Sequence, residues 1–381
     1  MKEIVIVAGK RTPMGEYGGA LRDLSAIDLG AIASKAAISQ SQFEPREFDH
    51  AIFGNALQTS GDAIYGARHV ALKAGLPIEV PALTVNRLCG SGIQSVISAA
   101  QLIQLDEASV VLAGGMESMS QAPHVIRGAR WGFKLGQGKL EDSLMVALFD
   151  SYCGCNMAGT AENLARKYGI TREAQDEFAV RSQKLAAAAW QSGRFQEEIT
   201  PVEKFVQDDH LRPDTTMETL AKLKPAFAKD GFVTAGNASG IVDGAGAIVV
   251  TSRDRAKTAP LGRIVSWGIA GVPPDIMGIG PVPAAKIALE RAGLNLSQID
   301  LVEVNEAFAA QYLAVEKALE LDRNRVNVNG GAIALGHPLG ATGTRLIMTI
   351  LYELKRRKQK YGLAAACIGG GQGIAIILEA L

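Results

Sequence analysis

The stretch from Thr84 to Gly92 reads Thr-Val-Asn-Arg-Leu-Cys-Gly-Ser-Gly, and it ends a short apolar run in a glycine-rich turn that leads into an amphipathic stretch. A similar order recurs in the second half of the chain, where Asn327-Val-Asn-Gly-Gly is followed by Gly336-His-Pro-Leu-Gly and another amphipathic stretch. Later in each half an apolar run ends in Gly-Gly, at Gly114 and at Gly369. The repeat indicates a duplicated unit of strand, turn, helix and strand, although chance similarity between glycine-rich turns would produce the same pattern.

Short apolar runs alternate with amphipathic stretches through most of the chain, which predicts an α/β fold with helices covering mixed sheets. Ala82–Val85 and Ala364–Ile368 are predicted strands, and Gly92–Leu105 and Gly343–Arg356 are predicted helices. Residues 115–235 break the alternation with glycine-rich turns, a helix pair and a polar stretch. We expect this region to be an insertion of the kind that often binds a ligand.

The composition of this 381-residue chain is that of a globular protein of about two or three domains. Lys and Arg number 39, as do Asp and Glu, and this balance argues against nucleic acids or anionic membrane surfaces as partners. The first residues, MKEIVIVAGKRTP, are typical of a first strand and not of a signal peptide, and four cysteines in a chain of this length do not indicate a disulfide framework. A reduced, cytoplasmic location is therefore expected.

Cys89 and His337 are candidates for nucleophilic catalysis, since each lies in a glycine-rich turn before a predicted helix. A thiol at a helix N-terminus meets free N–H groups and the positive end of the helix dipole, both of which stabilise a thiolate. A histidine has a pKa near neutrality and is able to take the proton of such a thiol. The alternatives are a buried structural cysteine and a histidine bonded to a turn carbonyl.

Cys367 ends a predicted strand and Asn305 follows another, where a side chain reaches the edge of a sheet. A thiol can act as acid or base when its pKa is shifted modestly, although a small core residue is the simpler interpretation of Cys367. Asn305 is able to orient a water or a carbonyl, or to cap a helix predicted over Glu306–Leu319. The single Cys153-Gly-Cys155 pair is weak as a metal signature, so no metal site is predicted.

Taken together, these segments resemble the signature blocks of the thiolase family. Four blocks match the residues discussed above, namely Asn86–Gly92, Asn305–Phe308, Gly336–Pro338 and Cys367–Gly371. Five more match in the same order along the chain, namely Arg11–Gly15, Gly114–Met119, Thr160–Asn163, Gly236–Gly240 and Ile276–Pro283. The resemblance covers essentially the whole chain.

By that resemblance, Cys89 carries the acyl group and His337 is the base that activates it. Cys367 moves a proton at the α-carbon of the substrate. Asn305 and His337 form one oxyanion hole through a bound water, and the backbone N–H groups of Cys89 and Gly369 form a second. The implied reaction is acyl transfer to coenzyme A, as reversible condensation of two acetyl-CoA or as thiolysis of a 3-ketoacyl-CoA.

The resemblance also implies a duplicated, five-layered α/β/α/β/α fold with an inserted loop domain that binds coenzyme A. The expected boundaries are 1–114 and 236–260 for the N-terminal domain, 115–235 for the loop domain and 261–381 for the C-terminal domain. Coenzyme A and acetyl-CoA are expected as substrates, with no permanently bound cofactor and no metal. The residues expected to line the pantetheine tunnel are Leu148, Asn156, Met157, Phe227, Ala235, Ser239, Met277, Ala307 and Phe308, with Arg212 near the nucleotide.

Two features bear on the acyl chain length of the substrate, which the sequence does not decide. Asn156 stands where short-chain biosynthetic members usually carry His, whereas the segment from Asp300 to Phe308 looks closer to broad-range 3-ketoacyl-CoA thiolases. A ketoacyl-synthase-like condensing enzyme, a non-catalytic acyl-CoA or lipid-binding member and a cysteine hydrolase are the alternative functions. The segment Gln121–Leu144 resembles the tetramer-forming loop of the family, which predicts a homotetramer.

Overall fold

A computed structural model describes residues 2–381 of the chain. The strands are β1 Ile4–Arg11, β2 Gly15–Glu16, β3 His50–Gly54, β4 Ala82–Val85, β5 Val110–Glu117, β6 His124–Ile126, β7 Leu140–Asp142, β8 Phe149–Asp150, β9 Cys155–Asn156, β10 Val242–Ser252, β11 Gly262–Gly271, β12 Leu301–Val304, β13 Tyr361–Ile368 and β14 Gln372–Ala380. The helices are α1 Ala26–Ser41, α2 Gly66–Lys73, α3 Ser91–Gln104, α4 Ser143–Ala147, α5 Met157–Tyr168, α6 Arg172–Gln191, α7 Met217–Ala221, α8 Pro281–Ala292, α9 Ala309–Leu319, α10 Ala332–Leu335 and α11 Leu339–Arg357.

The two halves of the chain build the same mixed sheet. The strands of the first half lie in the order β4-β3-β5-β10-β1, and those of the second half lie in the order β12-β13-β14-β11. A parallel bridge between Val302 and Val326 supplies the second half with the counterpart of β4. In both halves the last strand, β10 or β14, runs antiparallel to its two neighbours. The duplication predicted from the repeated turns is therefore real.

The halves stack into five layers. Among residues 2–381, their sheets join only where Val5 and Ile6 of β1 pair with Arg263 and Gly262 of β11. Elsewhere α3 and α11 lie between the two sheets, in a core that contains apolar residues from both halves. Helices α1 and α2 cover the outer face of the first sheet, and α8 and α9 cover that of the second. The predicted α/β/α/β/α arrangement is confirmed.

Glycines allow the two halves to approach at backbone distance. A Cβ on Gly92 of α3 would lie 2.6 Å from the backbone N of Thr344 in α11. A Cβ on Gly115 of β5 would lie 1.9 Å from the carbonyl oxygen of Gly340 in the first turn of α11. Because no side chain fits at either point, the turns that precede α3 and α11 are held close together.

The insertion between β5 and β10 is anchored to the core by buried charge. Arg11, at the end of β1, donates to Glu198 through Nε at 2.7 Å and to Asp208 through Nη1 at 2.7 Å. All three side chains are buried, and removing one partner of such an ion pair typically costs about 3–5 kcal/mol. Among residues 2–381, no helix has the length and apolar character needed to cross a membrane.

Gly115→Ala is expected to lower the free energy of unfolding by about 3 kcal/mol, because the added methyl group meets a backbone oxygen that cannot move aside. Urea denaturation followed by circular dichroism measures the change. Gly61→Ala is the matched control, since a Cβ on Gly61 meets nothing within 4 Å. Equal denaturation midpoints for the two variants would show that the halves do not depend on this contact.

Candidate active site

Cys89 lies in a strained turn between β4 and α3. A 3₁₀ turn over Leu88–Gly90 leads directly into α3, and Leu88 has φ of 46°, in the left-handed region that a non-glycine residue rarely adopts. The Ser91 hydroxyl closes the turn by donating to the Leu88 carbonyl at 2.7 Å. Such strain persists only where surrounding structure enforces it, and here it presents the thiol at the head of the helix.

The second half of the molecule supplies the groups around the Cys89 sulfur. Burial raises the pKa of Cys89, whereas the backbone N–H groups of Gly369, just after β13, and of Cys89 itself lower it. Cys367, two residues earlier and fully buried, is close enough for its charge to be coupled to that of Cys89. The sequence-predicted residues Cys89, Cys367 and Gly369 therefore meet at one point.

The hydrogen bonds of His337 fix its tautomer. Its Nδ1 lies 2.6 Å from Oγ1 of Thr342, and that hydroxyl donates to the Pro338 carbonyl at 3.0 Å. Since the hydroxyl has only one proton, Nδ1 of His337 must be the donor in the first contact. Nε2 is then unprotonated, and the Asn305 side-chain NH₂ donates to it at 3.3 Å. A neutral histidine with an unprotonated Nε2 is suited to accept a proton.

Burial keeps all three reactive groups uncharged in the free site. It raises the pKa of Cys89 to about 11 and holds the pKa of Cys367 well above its ordinary value. It lowers the pKa of His337 to about 3, with the positive charge of Arg345 acting in the same direction. The free Cys89 side chain is therefore a thiol. The two N–H groups do favour the thiolate, but burial outweighs them.

Asn305 does not cap a helix, and the predicted helix start at Glu306 is wrong. Helix α9 begins at Ala309 with Phe308 at its cap position. Residues 305–308 are not helical, and within them the buried Glu306 carboxylate accepts from the Ser182 hydroxyl and the Asn327 side-chain amide. Asn305 is fully buried, and its side-chain oxygen has no hydrogen-bond partner among the described residues.

A narrow cavity of about 220 Å³ opens next to Cys89 and His337. Eight of the nine predicted tunnel residues line it, namely Leu148, Asn156, Met157, Phe227, Ser239, Met277, Ala307 and Phe308, and Gly369 lies at its inner end. The sequence reasoning missed other apolar members of the wall, namely Leu88, Met119, Met145, Ala147, Ile241 and Leu339. Methionine and leucine at these positions are indistinguishable from core residues in a single sequence.

Two residues that were predicted to contact the ligand are not part of the cavity wall. Ala235 is exposed and does not line the cavity. Arg212 is also exposed, and its guanidinium forms a bidentate pair with the Glu16 carboxylate at 2.7 and 2.8 Å. A phosphate near Arg212 would have to share it with Glu16.

Glu117 is a residue of the site that sequence reasoning did not single out. Its fully buried carboxylate accepts from the side-chain amide of Asn55 at 2.8 Å, from the backbone N–H groups of Ala56 at 3.1 Å and Leu57 at 2.9 Å, and from that of Gly340 at 2.8 Å. Burial raises its pKa to about 7. Gly340 is three residues after His337, so this carboxylate fixes the histidine turn to the half that carries Cys89.

Both halves of the chain match known family models. Residues 4–254 match the thiolase N-terminal domain, and residues 258–380 match the thiolase C-terminal domain. The human mitochondrial 3-ketoacyl-CoA thiolase is 54% identical over 391 residues, which cover 100% of this chain and 98% of that protein. The acetyl-CoA acetyltransferase of Cupriavidus necator is 50% identical over 392 residues and is covered completely, as is this chain.

Solved structures agree with this assignment. The crystal structure of human mitochondrial 3-ketoacyl-CoA thiolase in complex with CoA has a TM-score of 0.98 to this fold at 55% sequence identity, covering 100% of this chain and 98% of the other. The duplicated fold and its cavity thus define an acyltransferase. The chain belongs to the thiolase family, as its signature blocks predicted.

Glu117→Gln is expected to lower the free energy of unfolding by about 2 kcal/mol, because an amide NH₂ would face N–H donors that need an acceptor. It is also expected to lower kcat about tenfold, since small displacements of a catalytic group are costly. Urea denaturation and steady-state kinetics measure the two effects.

Glu3→Gln serves as the control for this substitution. Glu3 is exposed and only pairs with Arg253, so its change should stay within about 0.5 kcal/mol. Unchanged stability and kcat in Glu117→Gln would mean that the carboxylate does not hold the histidine turn.

Proposed function

We propose that the protein cleaves 3-ketoacyl-CoA with coenzyme A, and catalyses the reverse condensation, through an acyl group carried on Cys89. The observation that carries the proposal is that Cys89, His337 and Gly369 line one apolar cavity, while Cys367 is buried in one cluster with the cavity residues Met277 and Ala307. A cysteine hydrolase would need no second thiol at this point. A binding protein would need neither an unprotonated histidine Nε2 nor a strained turn at the cysteine.

In the cleavage direction the first step forms the acyl-cysteine. His337 takes the Cys89 proton on Nε2 while the sulfur attacks the 3-keto carbon of the substrate. The bond between the α-carbon and the keto carbon then breaks, leaving the acyl group on Cys89. Cys367 gives its proton to the α-carbon of the departing enolate, and acetyl-CoA is released.

The second step returns the enzyme to its starting state. The thiol of coenzyme A gives its proton to Cys367 and attacks the acyl group on Cys89. The Cys89 sulfur leaves and regains its proton from His337, and the acyl-CoA product departs. Because both thiols and the histidine begin and end uncharged, the protonation states of the free site suit this cycle.

The oxyanions of the cycle require donors in place before the reaction. The N–H groups of Cys89 and Gly369 favour negative charge on the Cys89 sulfur, and we expect them to donate to the oxygen of an acyl-cysteine intermediate beside it. Nε2 of His337 becomes a donor once it holds the proton, next to the Asn305 amide and its unpartnered oxygen. A water bound by Asn305 would complete this second site. Losing one such donor typically costs about 3 kcal/mol of transition-state stabilisation.

Residues 115–235 are proposed to form the loop domain that binds coenzyme A, between the N-terminal domain (1–114 and 236–260) and the C-terminal domain (261–381). This loop domain supplies Leu148, Asn156, Met157 and Phe227 to the cavity wall. Phe227 is about half exposed and stands at the mouth. Arg212, close to His210 at the surface, is proposed to contact the nucleotide part after releasing Glu16.

Acyl chains longer than acetyl are the proposed substrates. Cys89 belongs to an apolar cluster in which Met119, Leu144 and Leu339 are buried, and Leu57 and Leu148 pack against them. Such a surface favours an alkyl chain over a small polar group. Asn156 replaces the histidine of short-chain members with an amide whose oxygen caps α5, accepting from the Gly159 N–H at 2.7 Å.

A homotetramer in the cytoplasm is proposed for the assembled protein. Strand β4 pairs only with β3 among the described residues, so it offers a free edge to a second copy. Nearby, Ile64 and Ile78 are each more than two thirds exposed. The hairpin β6–β7 carries Trp131 with 86% of its surface exposed, which suits contact with another copy.

Cys89→Ala is expected to abolish acyl labelling from radiolabelled acetyl-CoA, because the acceptor sulfur is gone. Cys367→Ala should still take up the label on Cys89 but should lose condensation by about a thousandfold or more, because no group then moves the α-proton. Cys153→Ala is the matched control and should label normally. Label on a residue other than Cys89 would refute the proposed nucleophile.

Thiolysis of a medium-chain 3-ketoacyl-CoA should proceed with kcat/KM equal to or above that of acetoacetyl-CoA, because the apolar cluster binds the longer chain. Steady-state kinetics with both substrates measures the ratio. A strong preference for acetoacetyl-CoA would instead identify an acetyl-CoA acetyltransferase. Cleavage of neither would contradict the thiolase reaction and favour a binding protein.

A further inference from the structure

Cys153 and Cys155 occupy the tip of the β8–β9 hairpin. The turn is tight, because Gly154 adopts φ of 69° and its N–H donates to the Asp150 carbonyl at 2.9 Å. Cys155 pairs with Asp150 in the two-residue ladder of the hairpin. The proposed reaction uses neither cysteine.

The two thiols are close neighbours in the chain. Cys153 and Cys155 lie on either side of Gly154, and the Cys153 sulfur lies 4.0 Å from the Asp150 carbonyl oxygen. Both cysteines are free and partly exposed, whereas Cys367 is fully buried. A pair of neighbouring, reachable thiols is the arrangement that exchanges with a disulfide.

The hairpin forms part of the cavity wall. Phe149 pairs with Asn156, and the Met157 N–H donates to the Leu148 carbonyl at 3.0 Å, so the hairpin base holds three cavity residues in place. Cys155 immediately precedes Asn156, which caps α5. Any displacement of the backbone of residues 153–155 therefore also displaces the part of the cavity wall that is proposed to contact acyl-CoA.

We propose that Cys153 and Cys155 are a modification site for low-molecular-weight disulfides, and that closing a Cys153–Cys155 bond weakens acyl-CoA binding. One thiolate attacks the small disulfide, forming a mixed disulfide and releasing one thiol. The second cysteine attacks the protein sulfur of that mixed disulfide, giving the Cys153–Cys155 bond and a second released thiol. The protein thus loses two electrons and two protons, and the small disulfide gains them.

The Cys153–Cys155 disulfide is expected to affect acyl-CoA binding more than the chemical steps at Cys89. It draws residues 153 and 155 together across Gly154 and displaces β9, which leads into Asn156 and Met157. Cys89, Cys367 and His337 lie in other elements and are not moved directly. The expected signature is a rise in KM for acyl-CoA of about threefold or more at nearly unchanged kcat, and this part of the inference depends on the proposed function.

Intact-protein and peptide mass spectrometry after treatment with oxidised glutathione test the chemistry independently of thiolase activity. The expected product is an internal Cys153–Cys155 disulfide that dithiothreitol reverses. Cys153→Ser and Cys155→Ser should each stop at a glutathione adduct on the remaining cysteine. A stable mixed disulfide in the wild-type protein, or no reaction at these residues, would overturn the proposal.

Kinetics test the coupling, with the double variant Cys153→Ser/Cys155→Ser as the matched control. This control is needed because the oxidant can also modify Cys89. The wild-type protein should show the rise in KM, and the double variant should not. An equal loss of activity in both proteins would assign the effect to Cys89 and refute the coupling, even if the internal disulfide forms.

Discussion

Backbone contact between the two halves is the constraint on which the site depends. At Gly92 and Gly115 the first half meets the start of α11 with no room for a side chain, so the turns that precede α3 and α11 are fixed at close range. Glu117 also holds the two halves together there, because its carboxylate accepts from backbone N–H groups of both halves. The cysteine turn and the histidine turn are thus held by rigid elements, which is how a site reaches the precision that chemistry requires.

The same close packing determines the protonation states of the reactive side chains in the site. Cys367 and His337 are buried and Cys89 lies in an apolar cluster, so burial outweighs the N–H donors that would otherwise favour a thiolate. In the proposed reaction, charge forms when a substrate provides an oxygen that shares it with these donors. A neutral resting site also protects the thiols, because thiolates are the reactive forms.

The sequence was sufficient to predict the features that rest on local pattern. The repeated turns predicted the duplication, and the positions of Cys89 and His337 in those turns predicted that they would meet. Features that depend on distant partners were missed: Glu117 looks like a strand end, and its four donors come from segments far apart in sequence. Asn305 also failed as a helix cap, since α9 begins only at Ala309 and Glu306 is buried in contact with the distant Ser182. The pairing of Arg212 with Glu16 was likewise invisible without the fold.

The near-symmetry of the halves has a consequence for how the reaction is divided between them. The two turns are equivalent in fold, yet the first carries the proposed nucleophile and the second the proposed base. The end of β13 and the loop after it add a proposed proton carrier and N–H donor that the end of β5 lacks. Neither half by itself contains the complete proposed set, so the smallest unit able to perform the proposed reaction is the whole duplicated chain.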